Sequence, residues 1–118
     1  MAASADVEFR IGETWRILLT AHDSCGNILP LNGGATVFWK LALDDTVLDT
    51  LSVGDGIAIV GDGTEGQAMI TLTPADQAAL NLDAAFYQHE CQVVLGDGTK
   101  TDQFAGMLQA LPSLFSAT

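Results

Sequence analysis

The chain has 118 residues, of which 15 are acidic and four are lysine or arginine, giving a formal net charge of −11 at pH 7. This length fits one domain over residues 1–118, and an apolar fraction of 48% argues against a disordered chain. The negative charge repels nucleic-acid phosphates and anionic membrane surfaces, so neither is expected as a partner.

Clusters of turn-forming residues divide the chain roughly every 8–12 residues, which is the spacing of short antiparallel strands. Turns are predicted at 23–27, 32–34, 54–56, 61–63 and 96–98. Between them, apolar and polar residues alternate, as in strands with one buried face. Strands are predicted at 7–10, 14–23, 37–43, 47–52, 56–60, 67–72, 85–95 and 101–108. Seven or eight short strands indicate an all-β sandwich or barrel.

Three rows of alternating residues are predicted to face the core. They are Trp15, Ile17, Leu19 and Ala21; Val37, Trp39, Leu41 and Leu43; and Tyr87, His89, Cys91, Val93 and Leu95. The third row predicts that 87–95 is a central strand. Leu18 breaks the pattern, because it lies on the polar face of its strand.

One short helix is predicted near residues 74–80. Thr73 supplies a hydroxyl N-cap, Pro74 occupies the first helical position and Asp76 the third. A helix at this point would carry the chain from one sheet to the other and cover one end of the core.

The acids in the three Gly-Asp-Gly triplets, Asp55, Asp62 and Asp97, are candidates for calcium ligands. Calcium takes six to eight oxygen ligands from clustered groups. One carboxylate per loop therefore favours hairpin turns over a calcium site.

His22, Asp23 and Ser24 are the residue types of a hydrolytic triad, but neighbours on a strand point in opposite directions. His89 is predicted to be a hydrogen-bonded core residue rather than a metal ligand, because no second histidine or cysteine cluster accompanies it. Cys25 and Cys91 are predicted to remain free thiols. No phosphate-binding glycine motif is present, and neither a cofactor nor a metal is expected.

The N-terminal residues show no secretory leader, and the longest uncharged stretch, 103–118, is too short and interrupted to span a membrane. Cytoplasmic synthesis is therefore expected.

Candidate partner contacts come from apolar side chains outside the core rows. Phe38 points away from the face of Trp39, so it either packs under a loop or is exposed to a partner. The apolar C-terminal tail, 109–118, would expose Leu111, Leu114 and Phe115 if left free, so it should dock on its own domain or on another subunit. Pro112 discourages a simple extension of the last strand.

The order of the turns and strands resembles the small immunoglobulin-like β-sandwich proteins of tailed phages and prophages, including baseplate upper proteins and tail or neck accessory proteins. The succession is Arg10-Ile-Gly-Glu-Thr-Trp-Arg-Ile, Asp23-Ser-Cys-Gly-Asn-Ile-Leu-Pro-Leu-Asn-Gly-Gly-Ala-Thr-Val, Gly66-Gln-Ala-Met-Ile-Thr-Leu-Thr-Pro-Ala-Asp, Phe86-Tyr-Gln-His-Glu-Cys-Gln-Val and Gly96-Asp-Gly-Thr-Lys-Thr-Asp-Gln-Phe. It covers about residues 6–108. Two departures are the turn at 30–35, where the family often has Asp-Leu-Thr-Gly-Ala, and the apolar tail.

The resemblance implies an immunoglobulin-like antiparallel β-sandwich of seven to eight strands, with its core at about 6–108. It also implies a non-enzymatic structural protein of a virion, a tail, baseplate or neck component of a phage, prophage or gene-transfer particle, synthesised in the bacterial cytoplasm. Its partners would be other virion proteins and copies of itself, with no small-molecule substrate.

Two other functions compete with this one. A carbohydrate- or surface-binding module would need Phe38 and Tyr87 to be exposed together, since aromatic platforms bind sugars. A small hydrolase would need a nucleophile and a base at usable spacing, which the sequence does not offer.

Overall fold

The computed structural model describes residues 3–4 and 6–112, with side chains for 6–112. These residues form nine strands and one short helix. The strands are β1 (Ala3–Ser4), β2 (Val7–Arg10), β3 (Trp15–Thr20), β4 (Thr36–Leu43), β5 (Thr46–Val53), β6 (Gly56–Ile59), β7 (Gln67–Leu72), β8 (Ala85–Val94) and β9 (Lys100–Leu111). The helix, α1 (Pro74–Ala79), lies between β7 and β8. The mostly-β prediction and the single helix are confirmed.

Eight strands follow one another in one sheet, in the order β1-β9-β8-β4-β5-β6-β7-β3, and β2 also pairs with β9. The sheet is nearly closed, like a barrel. β8 lies between β9 and β4, so the predicted central strand is confirmed. Within residues 3–4 and 6–112, β3 pairs with β7 on one side only, and β1 and β2 pair only with β9, so these strands form the two ends of the sheet.

The prediction of a purely antiparallel fold is wrong at three pairs, because β1 and β2 run parallel to β9 and β5 runs parallel to β6. β2 and β9 come from opposite ends of the chain, so no hairpin dictates their relative direction. Their register runs from Val7 opposite Leu108 to Arg10 opposite Leu111. This pairing extends β9 three residues beyond its predicted end, and 109–111 belong to the sheet rather than to a tail.

The core contains the three predicted rows. Trp15, Leu19, Val37, Trp39 and Leu41 are buried, and Leu18 is 53% exposed on the opposite face of β3. The row on β8 is buried from Tyr87 to Val93 at every second residue. Because residues two apart on a strand share a face, the alternation in the sequence determines the core directly.

Helix α1 begins with the predicted capping box. The Thr73 hydroxyl accepts a hydrogen bond from the Asp76 N–H at 3.2 Å, and the Asp76 carboxylate accepts one from the Thr73 N–H at 3.1 Å. These bonds satisfy two backbone donors at the helix start. The helix carries the chain between β7 and β8, two strands that are not neighbours in the sheet.

Gln77 is a buried polar residue on α1 that the sequence analysis did not single out. Its side-chain oxygen accepts a hydrogen bond from the Gly12 N–H at 2.9 Å. Its amide nitrogen donates to the carbonyl oxygens of Glu13 and Leu72, at 2.6 and 3.3 Å. The side chain therefore fastens the β2–β3 loop to the helix and to the end of β7.

Candidate functional site

The outer face is the solvent side of β5, β4, β8 and β9, formed by the residues that alternate with the core rows. Phe38 lies on this face between Ser52 of β5 and Gln92 of β8, and it is half-buried. It lines a groove of about 610 Å³ together with Val94 and Lys100. The side chain thus packs among strand residues of an open surface rather than under a loop.

Three large apolar side chains of the outer face are well exposed: Val47 at 53%, Phe86 at 60% and Met107 at 41%. Val47 and Met107 lie in one cross-strand row, with Ala42 and Gln88 between them. A second groove, of about 580 Å³, follows this row. Phe86 was not among the predicted contact residues, although the alternation that directs Tyr87 inward also directs Phe86 outward.

The outer face carries both signs of charge. Lys40 and Lys100, two of the four cations of the chain, line the groove beside Phe38 together with Glu90 and Asp102. The Gln92 amide donates a hydrogen bond to the Asp102 carboxylate at 2.9 Å, which fixes that carboxylate at the groove wall. Lysines on a strongly acidic chain are complementary to the surface of another acidic molecule.

The predicted contact residues do not form one site. Leu111 is half-buried at the end of β9 and lines a separate groove with Arg10 and Arg16. Phe38 lies in the same cross-strand row as Asp102 of β9. Because Asp102 lies nine residues before Leu111 on β9, Phe38 and Leu111 are separated by about 30 Å along the strand direction. Leu114 and Phe115 lie outside the described residues.

The seam is a groove of about 930 Å³ beside the edge of β3 that no described strand pairs with. Its apolar lining comes from Val7 of β2, from β3 and from Phe104 of β9. A larger number of polar side chains also line it, including His22, Asp23, Thr101 and Gln103. The seam is therefore a groove of mixed polar and apolar character beside an edge strand.

The direction of the backbone groups of β3 follows from the neighbouring hydrogen bonds. The Ala21 N–H donates to the Gly66 carbonyl at 2.7 Å, in line with the β3–β7 register. Because bonding alternates along an antiparallel ladder, the odd-numbered residues of β3 bond to β7. The N–H and C=O groups of Arg16, Leu18 and Thr20 consequently point into the seam.

Gln103 closes one end of the seam. Its side-chain oxygen accepts a hydrogen bond from the His22 N–H at 2.8 Å, and its amide nitrogen donates to the His22 carbonyl at 3.0 Å. The backbone N–H and C=O groups of His22 point to the same side as those of Arg16, Leu18 and Thr20. The side-chain amide of Gln103 therefore makes the two hydrogen bonds that a neighbouring strand would otherwise make with His22. No strand among the described residues pairs with the series from Arg16 to Thr20.

Of the side chains with potentially reactive groups, His89 and Cys91 lie in the core and Cys25 lies in an exposed turn. His89 is buried and accepts a hydrogen bond at Nδ1 from the Trp39 indole, at 3.1 Å, as predicted for a core histidine. Cys91 is buried and Cys25 exposed, and both are free thiols, as predicted. Burial raises the pKa of the Cys91 thiol to about 12. A thiol with so high a pKa stays protonated at neutral pH and is a poor nucleophile.

The isolated acids stabilise turns. The Asp62 carboxylate accepts hydrogen bonds from the Thr64 hydroxyl and N–H, and these donors lower its pKa. The Asp97 carboxylate accepts from the Thr99 N–H, which lowers its pKa in the same way. Asp23 bonds to the N–H groups of its own turn at 25 and 27. Within 3–4 and 6–112, no three His, Cys, Asp or Glu side chains are arranged to hold a metal ion.

Tyr87 and Phe38 lie on opposite faces of the sheet. Tyr87 is 2% exposed, and its hydroxyl donates to the Asp83 carbonyl at 2.8 Å and accepts from the Asp83 N–H at 3.0 Å. Phe38 faces outward. The joint exposure that a sugar-binding platform required is therefore absent at this pair.

No protein-family model and no curated protein matches this sequence. In the part of the chain that the structure describes, no helix has the length and apolar character needed to cross a membrane.

Proposed function

We propose that this chain is a non-enzymatic structural subunit of a virion, a tail, baseplate or neck component of a phage, prophage or gene-transfer particle. It acts as a docking block that contacts copies of itself and other virion proteins. The order of turns and strands along residues 6–108 supports this assignment through its resemblance to such proteins. The role needs extended contact surfaces and no reactive group.

The observation that carries the proposal is the outer face. Val47, Phe86 and Met107 expose apolar surface on one side of the sheet, and Lys40 and Lys100 lie among carboxylates on the same side. Exposed apolar side chains on one face of a soluble domain are typical of a contact surface. An acidic copy that buries these side chains also brings its own carboxylates towards the two lysines.

We further propose that the fold is an immunoglobulin-like sandwich. The ladder between β5 and β6 has only two residue pairs. If the sheet is divided at this ladder, one layer contains β2, β9, β8, β4 and β5, and the other contains β6, β7 and β3. The hydrogen bonds of Tyr87 to Asp83, just before β8, match the tyrosine corner of such domains. An experimental structure tests this proposal: two layers about 10 Å apart support it, whereas one continuous ring of strands contradicts it.

Substitutions on the outer face test the docking role. The Phe86→Ser/Met107→Ser double variant should weaken self-association at least tenfold, because each lost apolar contact removes roughly 1–2 kcal/mol. The measurement is mass by light scattering over a concentration series. Val60→Ser is the matched control, since Val60 is 40% exposed away from this face. A wild-type chain that stays monomeric at millimolar concentration, or a double variant that associates normally, contradicts the role of this face.

The virion assignment has its own test. Mass spectrometry of purified particles released from the source cell after prophage induction should detect this chain in stoichiometric amounts. Its absence from particles, while the chain accumulates in the same cells, would overturn the virion assignment.

A further inference from the structure

We infer that two copies of this chain pack outer face to outer face, related by a two-fold axis that runs parallel to the strands, midway between β4 and β8. The inference rests on the proposed docking role of the outer face and specifies both the partner, a second copy, and its alignment. The alignment follows from where the charged and the apolar side chains lie on four neighbouring strands.

The cross-strand register divides the centre of the outer face into four rows. They are Thr36, Val94 and Lys100; Ser52, Phe38, Gln92 and Asp102; Thr50, Lys40, Glu90 and Ala105; and Val47, Ala42, Gln88 and Met107. These rows contain two lysines and two carboxylates, so the centre of the face has no net charge, whereas the whole chain carries −11. Two copies can therefore approach through this face with less repulsion than through the acidic remainder of the surface.

Lys40 and Glu90 form the charged centre of the face. They lie directly opposite each other on β4 and β8, and both side chains are exposed. Within residues 6–112, neither side chain forms an ion pair shorter than 4.0 Å. The two-fold axis exchanges β4 and β8, so Lys40 of each copy faces Glu90 of the other. One neighbouring pair of charges thereby supplies two ion pairs across the contact, as a self-complementary interface requires.

The same axis also brings exposed apolar side chains together. Because β5 flanks β4 and β9 flanks β8, the axis exchanges β5 with β9. Val47 of one copy then faces Met107 of the other, and these side chains are 53% and 41% exposed. Burial of the apolar side chains supplies affinity, and the ion pairs fix the alignment.

An axis in the same plane but at right angles to the strands does not match the face to itself. It would place Lys40 over β4 of the other copy, whose outward residues are Thr36, Phe38, Lys40 and Ala42. None of these residues is acidic. The axis parallel to the strands also suits sheet packing, because packed sheets keep their strand directions within about 30° of each other. Lys40 and Glu90 lie beside the axis, where such a rotation displaces them least.

The size of the face suits a reversible dimer. Four strands about 4.8 Å apart, with rows about 6.8 Å apart, give a patch of roughly 20 by 25 Å on each copy. Two patches together provide about 1,000 Å², which is near the lower limit for a specific interface. The dimer is therefore expected to dissociate on dilution.

Charge reversal tests the inference. Lys40→Glu and Glu90→Lys each create two like-charge contacts between copies and should weaken self-association by about tenfold or more, measured by light scattering over a concentration series. Glu90→Lys makes the chain less acidic, so it would tighten association if net charge alone controlled it. Glu65→Lys, with the same charge change in the exposed loop between β6 and β7, is the matched control and should associate at least as tightly as the wild type.

Recombining the two reversals tests the alignment. In a mixture of Lys40→Glu with Glu90→Lys, every cross-copy pair again has opposite signs, and association should return to the wild-type level or exceed it. The double variant Lys40→Glu/Glu90→Lys exchanges both signs within one chain and should also regain most of the wild-type association. A double variant as weak as the single variants overturns the inference, as does Glu90→Lys that associates as tightly as Glu65→Lys.

Cross-linking of the unmodified protein provides a second measurement if a charge variant does not fold. Isotopically labelled and unlabelled wild-type copies are mixed and treated with a carbodiimide, which joins a lysine amine to a neighbouring carboxylate with loss of water. Mass spectrometry of the cross-linked dimer should show Lys40–Glu90 peptides with one labelled and one unlabelled half. Lys40–Glu90 peptides in which both halves always have the same labelling would show a link within one chain and overturn the inference.

The inference and the proposed function can fail separately. If the charge variants associate normally while the Phe86→Ser/Met107→Ser variant does not, the two-fold alignment is wrong and the docking role of the outer face stands. If the charge variants behave as expected but purified particles lack the chain, the dimer exists and the virion assignment is wrong.

Discussion

At the scale of single residues, the two cysteines differ because of burial alone. Cys25 lies in an exposed turn, and Cys91 lies in the core against β4 and β9. Desolvation of the thiolate raises the pKa of Cys91 to about 12. Iodoacetamide should therefore modify only Cys25 in the folded protein, and intact-mass measurement should show one adduct, with none in the Cys25→Ser variant.

The raised pKa of Cys91 also predicts a loss of stability in alkaline solution. Above the ordinary thiol pKa of 9.0, the unfolded chain loses this proton and the folded chain keeps it until about pH 12. The free energy of unfolding should then fall by up to about 1.4 kcal/mol per pH unit from this group. Urea titrations between pH 8 and 10.5 should show a shallower decline for Cys91→Ala than for the wild type. Equal slopes would contradict the assigned pKa.

Gln77 is the polar side chain on which the β2–β3 loop most depends. Gln77→Ala leaves the Gly12 N–H and the Glu13 carbonyl without the partners that now satisfy them. Because Gly12 and Glu13 are exposed residues whose freed groups can bond water, the loss is that of net hydrogen bonds, and we expect the variant to be destabilised by about 1–2 kcal/mol in urea unfolding. Gln88→Ala, at an exposed position of β8, should change the stability by less than about 1 kcal/mol.

At the scale of elements, the β4–β5 hairpin is built on an unfavourable turn sequence. Asp44 and Asp45 both have positive φ, at 49° and 64°, the conformation of a type I′ turn. This turn prefers Asn-Gly, and two adjacent carboxylates repel each other. This turn was not predicted from the sequence, since neither residue is glycine or proline.

A replacement at this hairpin should be stabilising. Asp44→Asn/Asp45→Gly supplies the preferred residues and keeps the backbone N–H of position 45, which now donates to the Gln88 side chain at 3.0 Å. We expect a gain of about 1 kcal/mol in the free energy of unfolding. Thermal unfolding followed by circular dichroism measures it. A decrease in the melting temperature would show that the Asp45 carboxylate, which accepts from the Gln88 amide, contributes more than the turn geometry.

At the scale of the whole molecule, charge controls association. Copies with a net charge of −11 repel one another, whereas the outer face offers apolar contacts. Salt screens the repulsion and leaves apolar burial unaffected or slightly stronger. Self-association should therefore become several-fold tighter between 20 and 300 mM NaCl. Weaker association at higher salt would indicate that ion pairs, not apolar contacts, hold the copies together.

The sequence by itself determined the local structure of this protein. Alternation predicted the buried rows that include Trp15, Trp39 and Tyr87, and turn chemistry predicted the limits of most strands within a few residues. The capping box at Thr73 predicted the helix, and the place of His89 on the inward-facing row of its strand predicted its burial in the core. These features depend on residues close together in the chain, where side-chain direction and backbone preference follow from the residue type.

Only the tertiary structure decided how the strands close and which surfaces remain open. The parallel pairing of β2 with β9, the bonds of Gln77 to the β2–β3 loop, and the Gln103–His22 bridge join residues far apart in the chain. The distance between Phe38 and Leu111 and the edge of β3 that no described strand pairs with also result from pairing between distant segments. Pairing between distant segments depends on the combined packing of all strands, and no local pattern encodes it.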